Sequence, residues 1–246
     1  VFQPMIGLYS SRGWDIYERS HYAGNEHVDE VEQILSWYDG RGGRVLDAGC
    51  CTGLHALEFA RRGFSVAGLD IEPAAVERAN CRARQIGAAV AFSVKDLSRD
   101  SLTSLGTFDF VYSLGNVLAH IEKGLLPVVL ARIHACLNRD GVFLFDLLMT
   151  DRPFLRDIRD EKHKIFWKRA RDGETGKIRM DGYFLEFGFV QPFEVWGYSL
   201  DDARSLLSRS GFVLDAMNSR LDFPNVEPGE GVPFCLNFRV RRKEDR

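Results

Sequence analysis

The chain has 246 residues, of which 45% are hydrophobic and 27% are charged, and its formal net charge is −3. This size and composition fit one globular domain with additions better than two domains. They argue against a nucleic-acid partner, a membrane span and a secretory leader, because there is no basic excess, no apolar run of about 18 residues and no basic-apolar start.

The first part of the chain alternates between helices and short apolar strands. Apolar residues at helical spacing predict a helix over residues 24–38. Strands are predicted over residues 44–47, 64–70, 89–92, 108–112 and 141–145. Between them, helices are predicted through Leu57 and Phe59, from Pro73 to near Gly87, and from Leu126 to Leu137. This alternation predicts parallel β-α-β units and a sheet covered on both faces.

The pattern changes after residue 150. Aromatic and β-branched residues predict strands over residues 163–170, 176–187 and 188–196. Turns are expected at Asp172-Gly173 and Asp181-Gly182, which suits an antiparallel excursion. A helix is then predicted to begin at Ser199, capped through Asp202, and to end at Gly211, and final strands are expected over residues 212–214 and 234–240.

The predicted fold is therefore α/β, a doubly wound and mostly parallel seven-stranded sheet with an antiparallel β excursion that covers the substrate. Residues 1–40 would form an amino-terminal lid and first helix. Residues 41–149 would form the cofactor-binding core and residues 150–196 the cover. Residues 197–246 would complete the core sheet.

Acidic residues follow several predicted strands at their carboxyl ends. Asp47, Asp70, Asp96 and Asp146 lie at or just after four of these ends. Open parallel sheets bind ligands beyond the carboxyl ends of their strands. Several carboxylates at one edge therefore indicate a binding site.

The segment Val45–Gly53 leaves the first strand and enters a helix. Its glycines, Gly49 and Gly53, would let the backbone approach a ligand, but Cys51 replaces the middle glycine of a dinucleotide loop. Asp47 would repel a pyrophosphate and suits a ligand with sulfonium and ammonium groups. Asp70, near 20 positions further on, can accept hydrogen bonds from ribose hydroxyls.

With these residues in place, residues 40–146 resemble the class I S-adenosylmethionine-dependent methyltransferases. The resemblance implies that S-adenosylmethionine is bound and S-adenosyl-L-homocysteine is released. It assigns the methionine part of the cofactor to Asp47, Ala48, Gly49 and Gly53, the ribose to Asp70 and Ile71, and the adenine to Asp96 and Leu97.

The segment Ser113–His120 is similar to the L-G-N-x-x-x-H segment of glycine and sarcosine N-methyltransferases and of N-methyltransferases from antibiotic pathways. That similarity implies a backbone contact from Leu114 to the cofactor and places His120 near its methionine part. Glycine N-methyltransferases bind a substrate carboxylate with an arginine just after the fifth strand. Residues 145–149 carry leucines instead, which favours a larger, more apolar substrate.

Aromatic residues are concentrated before the first predicted helix, at Tyr9, Trp14, Tyr17 and Tyr22. In the related enzymes this stretch closes over the cofactor, and its tyrosines face the methyl group. Tyr9 and Tyr17, together with His120, are therefore the catalytic candidates, and Tyr183 in the cover is a further one.

The favoured function is methyl transfer to an amine nitrogen of a small molecule, in secondary metabolism such as antibiotic biosynthesis. Direct displacement of a good leaving group by a neutral amine needs mainly alignment and exclusion of water. A small-molecule O-methyltransferase, a nicotinamide oxidoreductase and a non-catalytic binding protein remain alternatives. A thermal-shift comparison of NADH with S-adenosylmethionine separates the oxidoreductase from the methyltransferases.

The cysteines indicate neither disulfides nor a metal. There are five, Cys50 and Cys51 are adjacent rather than spaced as metal ligands, and no C-x-x-C pair occurs. Free buried thiols in a reducing compartment are expected, and hence a cytoplasmic protein without a metal. The expected partner is a small-molecule amine, and self-association into a homo-oligomer is allowed for.

Overall fold

The computed structural model describes residues 11–38, 40, 42–150, 157–218 and 235–243. The helices are α1 (Ser11–His21), α2 (Glu26–Ser36), α3 (Leu54–Arg61), α4 (Pro73–Ile86), α5 (Leu126–Cys136) and α6 (Leu200–Arg209). The strands are β1 (Arg44–Ala48), β2 (Ser65–Asp70), β3 (Ala91–Val94), β4 (Phe108–Ser113), β5 (Leu137–Leu148), β6 (Ile158–Asp160), β7 (Ile165–Arg171), β8 (Lys177–Phe184), β9 (Phe189–Trp196), β10 (Phe212–Asn218) and β11 (Cys235–Arg242).

The main sheet has seven strands in the order β10-β11-β5-β4-β1-β2-β3. Strands β1 to β5 pair in parallel, and β11 is antiparallel to both β5 and β10. The predicted fold class is therefore confirmed. From β1 the chain passes to β2, which lies on one side of β1, and later returns to β4, which lies on the other side. The carboxyl ends of β1 and β4 thus meet where the strand order reverses, the usual place of a ligand in such sheets.

Helices cover both faces of this sheet, and each face has its own apolar core. Successive strand residues point to opposite faces, so Val45 and Leu46 in β1 belong to different cores. Val45 packs in one with Phe59 of α3, and Leu46 packs in the other with Ile133 of α5. Both cores hold the strand ends of the sheet in fixed positions.

Three helix ends have the residues that the sequence predicts for them. Pro73 occupies the first turn of α4, and Gly87 ends that helix in the left-handed conformation. The Ser199 hydroxyl accepts a hydrogen bond of 3.0 Å from the amide of Asp202 at the start of α6. All three predictions are confirmed because each depends only on neighbouring residues.

The second sheet is antiparallel and has the strand order β6-β7-β8-β9. The turn at Asp172-Gly173 joins β7 to β8 as predicted, but the turn predicted at Asp181-Gly182 is wrong, because both residues lie within β8. Gly182 pairs with Trp167, and a Cβ atom at Gly182 would lie 2.6 Å from that indole ring. The glycine therefore makes room for an aromatic side chain instead of a turn.

The second sheet is attached over the carboxyl ends of the main strands. The amide of Tyr198 donates to the carbonyl of Leu148 (2.8 Å), and the amide of Thr150 donates to the carbonyl of Tyr198 (2.9 Å). One face of this sheet packs on Ala119, in the segment after β4, and on Ile16 of α1. A substrate cover would occupy this position, and that role remains a prediction.

Other local predictions need correction. The segment before the first predicted helix contains α1, which was not predicted, and β3 begins two residues later than expected. The fifth strand was predicted from residue 141 but begins at Leu137. Residues 138–140 are polar, which hid them from the apolar pattern, and in the strand their side chains are partly or fully exposed. All five cysteines are free, but Cys81 is exposed and not buried. No helix among the described residues has the length and apolar character to cross a membrane.

Candidate functional site

The loop between β1 and α3 is held by glycine backbone conformations and by β2. Gly49 and Gly53 have φ angles of 102° and 82°, which favour glycine. The amides of Gly49 and Cys50 both donate to the carbonyl of Leu69 at 2.8 Å. A Cβ atom at Gly49 would lie 2.5 Å from Cγ2 of Val117, in the segment after β4. The loop therefore passes directly beside the end of β4.

Replacing Gly49 with alanine is expected to lower the free energy of unfolding by about 2–4 kcal/mol, because strain at positive φ adds to the overlap with Val117. Gly63→Ala is the matched control, since Gly63 has a φ of 90° and no atom within 4 Å of a new Cβ. Urea denaturation of both variants separates the two causes. Equal losses would show that contact with Val117 is unimportant.

Asp47 lies within β1 and its side chain is buried, with 4% of the residue exposed. Burial raises the pKa of its carboxyl to about 7, and nearby Asp70 adds to this, whereas His55 opposes it. The Tyr112 hydroxyl faces this carboxylate and also lowers its pKa, but makes no hydrogen bond of standard geometry. Asp47 is therefore a buried acid that a cationic ligand would ionise.

Asp70 ends β2 and is half-buried beside the same loop. Its two carboxylate oxygens accept hydrogen bonds from the amides of Cys51 (2.8 Å) and Glu72 (3.0 Å). Burial raises its pKa, although these amides oppose the effect. Each oxygen keeps acceptor capacity for a further donor. Next to it, the side chain of Ile71 is 58% exposed.

Asp96 and Leu97 follow β3 at the far side of this edge. The Asp96 carboxylate accepts from the amide (2.7 Å) and hydroxyl (2.6 Å) of Ser98. Partial burial raises the pKa of Asp96, but the hydrogen bonds from Ser98 outweigh it, and the pKa is lowered overall. The side chain of Leu97 is buried in the core. Leu97 can therefore reach a ligand only through its backbone.

The segment after β4 is fixed by a buried aspartate of β5. Asp146 accepts hydrogen bonds from the amides of Gly115 (3.0 Å) and Asn116 (2.9 Å), which both have positive φ angles. Burial raises the pKa of Asp146 to about 6, and the two amides oppose that rise. The Ser113 hydroxyl donates to the carbonyl of Ala48 (2.7 Å) and ties this segment to β1.

Leu114 and His120 flank the residues that Asp146 holds. Leu114 is half-buried and packs against the core that contains α3. The imidazole of His120 meets the ring of Phe193 in the second sheet at 5.6 Å, nearly edge to face. His120 is exposed at the surface, but the surrounding protein desolvates its ring partly and so lowers its pKa. His120 thus lies between the main sheet and the proposed cover.

Helix α1 lies over the glycine loop. Glu18 forms an ion pair with Arg82 of α4 (2.6 Å), and Arg82 also donates to the carbonyl of Thr52 in the loop (3.1 Å). Arg78 of α4 pairs with Asp15 of α1. These contacts join the amino-terminal helix to the loop, and its role as a lid remains a prediction.

Tyr17 is the catalytic candidate on α1. Its ring stacks on His21 at 4.3 Å and meets the edge of Tyr22 at 5.9 Å. Burial lowers the pKa of His21 to about 4. The other candidate of this stretch, Tyr9, lies outside the described residues. Tyr183 in β8 contacts Phe166 on one face of the second sheet. Its neighbour Phe184 points to the opposite face, which packs with α1. Tyr183 is therefore remote from the other candidates.

Sequence reasoning missed an acid–histidine pair beside the loop. Nε2 of His55, on the first turn of α3, lies 2.6 Å from Oε2 of Glu30 on α2. His55 is close enough to lower the pKa of Asp47. The available signal was a histidine two residues after Gly53, but its acidic partner is 25 positions away in the chain.

Comparison with known proteins adds to this geometry. A family of sequences described as a methyltransferase domain matches residues 45–141. A protein of Geobacillus sp. (strain WCH70), named as a methyltransferase, is 30% identical over 217 residues, 81% of this chain and 85% of its own length. A ubiquinone biosynthesis O-methyltransferase of Alkalilimnicola ehrlichii is 32% identical over 130 residues, 52% of this chain and 49% of its own length.

Solved structures show the same fold over nearly the whole chain. An S-adenosylmethionine-dependent methyltransferase from Clostridium acetobutylicum superposes with a TM-score of 0.70 at 15% identity, covering 95% of this chain and 98% of the other. The sugar N-methyltransferase KedS8 from Streptoalloteichus sp. superposes with a TM-score of 0.69 at 18% identity, covering 99% of this chain and 96% of KedS8.

Proposed function

Because this chain belongs to the class I S-adenosylmethionine-dependent methyltransferases, we propose that it transfers the methyl group to an amine nitrogen of a small molecule. The acceptor we favour is a secondary metabolite of the kind made in antibiotic pathways. The cytoplasm is the compartment proposed for this reaction.

The residues at the strand ends suit S-adenosylmethionine in charge and shape. Asp47 and Asp70 supply carboxylates for cationic and hydroxyl groups, and at Gly49 the backbone lies where a side chain could not. The buried Tyr112 hydroxyl beside Asp47 lacks a hydrogen bond of standard geometry. When bound, the cofactor supplies a methyl group on a positively charged sulfur, which is a good leaving group.

The residues that would hold the cofactor follow the strand order. Asp47, with Ala48, Gly49 and Gly53, would hold the methionine part at β1. Asp70 and Ile71 would hold the ribose at β2, and Asp96 and Leu97 the adenine after β3, with Leu114 contributing its backbone. Since β1, β2 and β3 are neighbours in this order, one extended ligand can reach all three ends.

The environment of His120 is the observation on which we base an amine, rather than a hydroxyl, as the methyl acceptor. Desolvation by the surrounding protein lowers the pKa of His120, which favours the neutral ring, the form that can accept a proton. A weak base suits an ammonium group, which needs to lose its proton before transfer. An alcohol is a far weaker acid and needs a stronger base. His120 therefore supports an amine acceptor.

Full-length similarity to a sugar N-methyltransferase also supports a nitrogen acceptor. KedS8 matches 99% of the chain, including the second sheet. The ubiquinone biosynthesis O-methyltransferase is related by sequence over 52% of the chain, at 32% identity. The acceptor position that we propose lies between α1 and the second sheet. Small-molecule O-methylation is the second candidate, because that relative is the more similar of the two in sequence.

A paired acceptor panel tests the nitrogen proposal. Purified protein with S-adenosylmethionine is given small amines, amino sugars among them, and the matching compounds in which a hydroxyl replaces the amine. We expect S-adenosylhomocysteine from amines only, with the added methyl on nitrogen by mass fragmentation. Turnover of the hydroxyl compounds alone would contradict the proposal and establish the second candidate.

Replacing His120 with glutamine is expected to lower kcat by about 10–100-fold at a pH where the amine is protonated. The loss should shrink as the pH rises, because the free amine then forms without a base. Because His120 is also expected near the methionine part of the cofactor, calorimetry with S-adenosylhomocysteine measures separately how much of the loss comes from binding. A loss of the same size at every pH would instead indicate that His120 only shapes the site.

A further inference from the structure

The pair formed by Glu30 and His55 has no role in the function described so far. Their side chains are 35% and 22% exposed, and Nε2 of His55 lies 2.6 Å from Oε2 of Glu30. Tyr22 meets the imidazole of His55 with its ring nearly perpendicular at 5.6 Å. The ring of His55 is therefore fixed on two sides, by a carboxylate and by an aromatic edge.

The pair lies at the methionine end of the proposed cofactor site. His55 is two residues beyond Gly53 and acts electrostatically on Asp47. The ring of Tyr22 also meets His27 at 6.1 Å, and Nδ1 of His27 is buried without a hydrogen-bond partner. His55 is therefore surrounded by aromatic and polar groups of α2 and of Tyr22, which precedes that helix.

The amino-acid end of S-adenosylmethionine carries a carboxylate as well as an ammonium group. Asp47 attracts the ammonium and sulfonium groups but repels the carboxylate, so the carboxylate needs a separate partner, and a cationic side chain would also balance its charge. The arginines described near the loop are already engaged in ion pairs: Arg82 with Glu18, Arg78 with Asp15 and Glu18, and Arg61 and Arg62 with Glu58. His55 is held by an acid that leaves its second nitrogen for a ligand.

We propose that His55 donates a hydrogen bond from Nδ1 to the carboxylate of the methionine part of S-adenosylmethionine, while Glu30 accepts from Nε2 and fixes the ring. With a proton on each nitrogen, the imidazolium lies between two carboxylates, one from the protein and one from the ligand. Glu30 is then a positioning residue. The inference depends on the cofactor of the family and is independent of the acceptor atom.

Two ligands that differ only in this carboxylate test the assignment. Calorimetry compares S-adenosylmethionine with decarboxylated S-adenosylmethionine, which keeps the sulfonium, the ammonium and the nucleoside. We expect the native protein to prefer S-adenosylmethionine by about tenfold or more. In His55→Gln we expect the two ligands to bind with nearly equal affinity. In Glu30→Gln we expect a preference of about threefold, because the imidazole of His55 remains but loses the carboxylate that fixes it.

The ratio of the two affinities separates this role from an effect on Asp47. A change in the ionisation of Asp47 alters the binding of both cationic ligands alike and cancels in the ratio. His134→Gln is the control, since His134 on α5 packs against Phe212 of the edge strand β10. Equal binding of the two ligands by the native protein, or an equal loss for both in His55→Gln, would overturn the assignment. Failure to bind either ligand would instead contradict the assigned cofactor.

Discussion

Replacing Asp47 with asparagine is expected to weaken S-adenosylmethionine binding by about two orders of magnitude. The side chain keeps its size, but the buried carboxylate that would face the cationic groups of the cofactor is lost, and truncating one partner of a buried charge pair costs about 2–5 kcal/mol. Calorimetry measures the loss directly. Asp201→Asn, an exposed acid on α6, is the control and should bind as the native protein does.

The same variant is expected to be more stable than the native protein without ligand at about pH 8. The pKa of Asp47 is about 7 in the fold against a usual 3.8. The folded protein therefore holds a proton that the unfolded chain releases between about pH 4 and 7, and its stability falls as pH rises through that range. Asparagine removes this effect, so the gain should be on the order of 1–4 kcal/mol at about pH 8 and vanish near pH 4. Urea denaturation at both pH values measures it.

Binding of S-adenosylmethionine should itself release a proton. Below about pH 7 Asp47 is protonated and must ionise to meet the cationic ligand, so the affinity should fall by up to about tenfold per pH unit as the pH decreases. Calorimetry in two buffers with different ionisation enthalpies counts the proton. The idea fails if native affinity is constant from about pH 5.5 to 7.5, or if Asp47→Asn keeps the same pH dependence.

Removing the side chain of Asp146 is expected to reduce kcat/KM by about 100-fold, because the segment after β4 loses its anchor. In Asp146→Ala the amides of Gly115 and Asn116 lose their acceptor, and misplacement of a site segment by about 1 Å costs about this much. Asp146→Asn keeps an oxygen that can accept from both amides. The alanine variant should therefore unfold about 2–4 kcal/mol more easily than the asparagine variant.

Hydrogen exchange identifies the cause of that loss. In Asp146→Ala the amides of Gly115 and Asn116 should exchange faster, whereas those of β4 should not change. Asp140→Ala is the matched control, since Asp140 lies on the same strand with an exposed side chain. If both amides stay protected in Asp146→Ala while activity falls, Asp146 acts on the ligand and not on the loop.

The sequence predicted the order of the core elements and the position of the acidic residues at the strand ends. Each depends on residues close together in the chain: alternating apolar runs, Pro73 and Gly87 at the ends of α4, and Asp47 two residues before Gly49. The errors occurred where local signals were ambiguous. Asp181-Gly182 has the composition of a turn, but the neighbouring Trp167 explains the glycine.

By itself the sequence determined the α/β fold class, the glycine loop and the set of acidic strand ends, because strand and helix periodicity and parallel connections are encoded locally. Only the tertiary structure decided what those acids contact. It brought Asp146 under Gly115 and Asn116, joined Glu30 to His55, and placed α1 over the loop through Glu18 and Arg82. These pairs join residues 25 to 64 positions apart, and no periodic pattern links such positions until the sheet has formed.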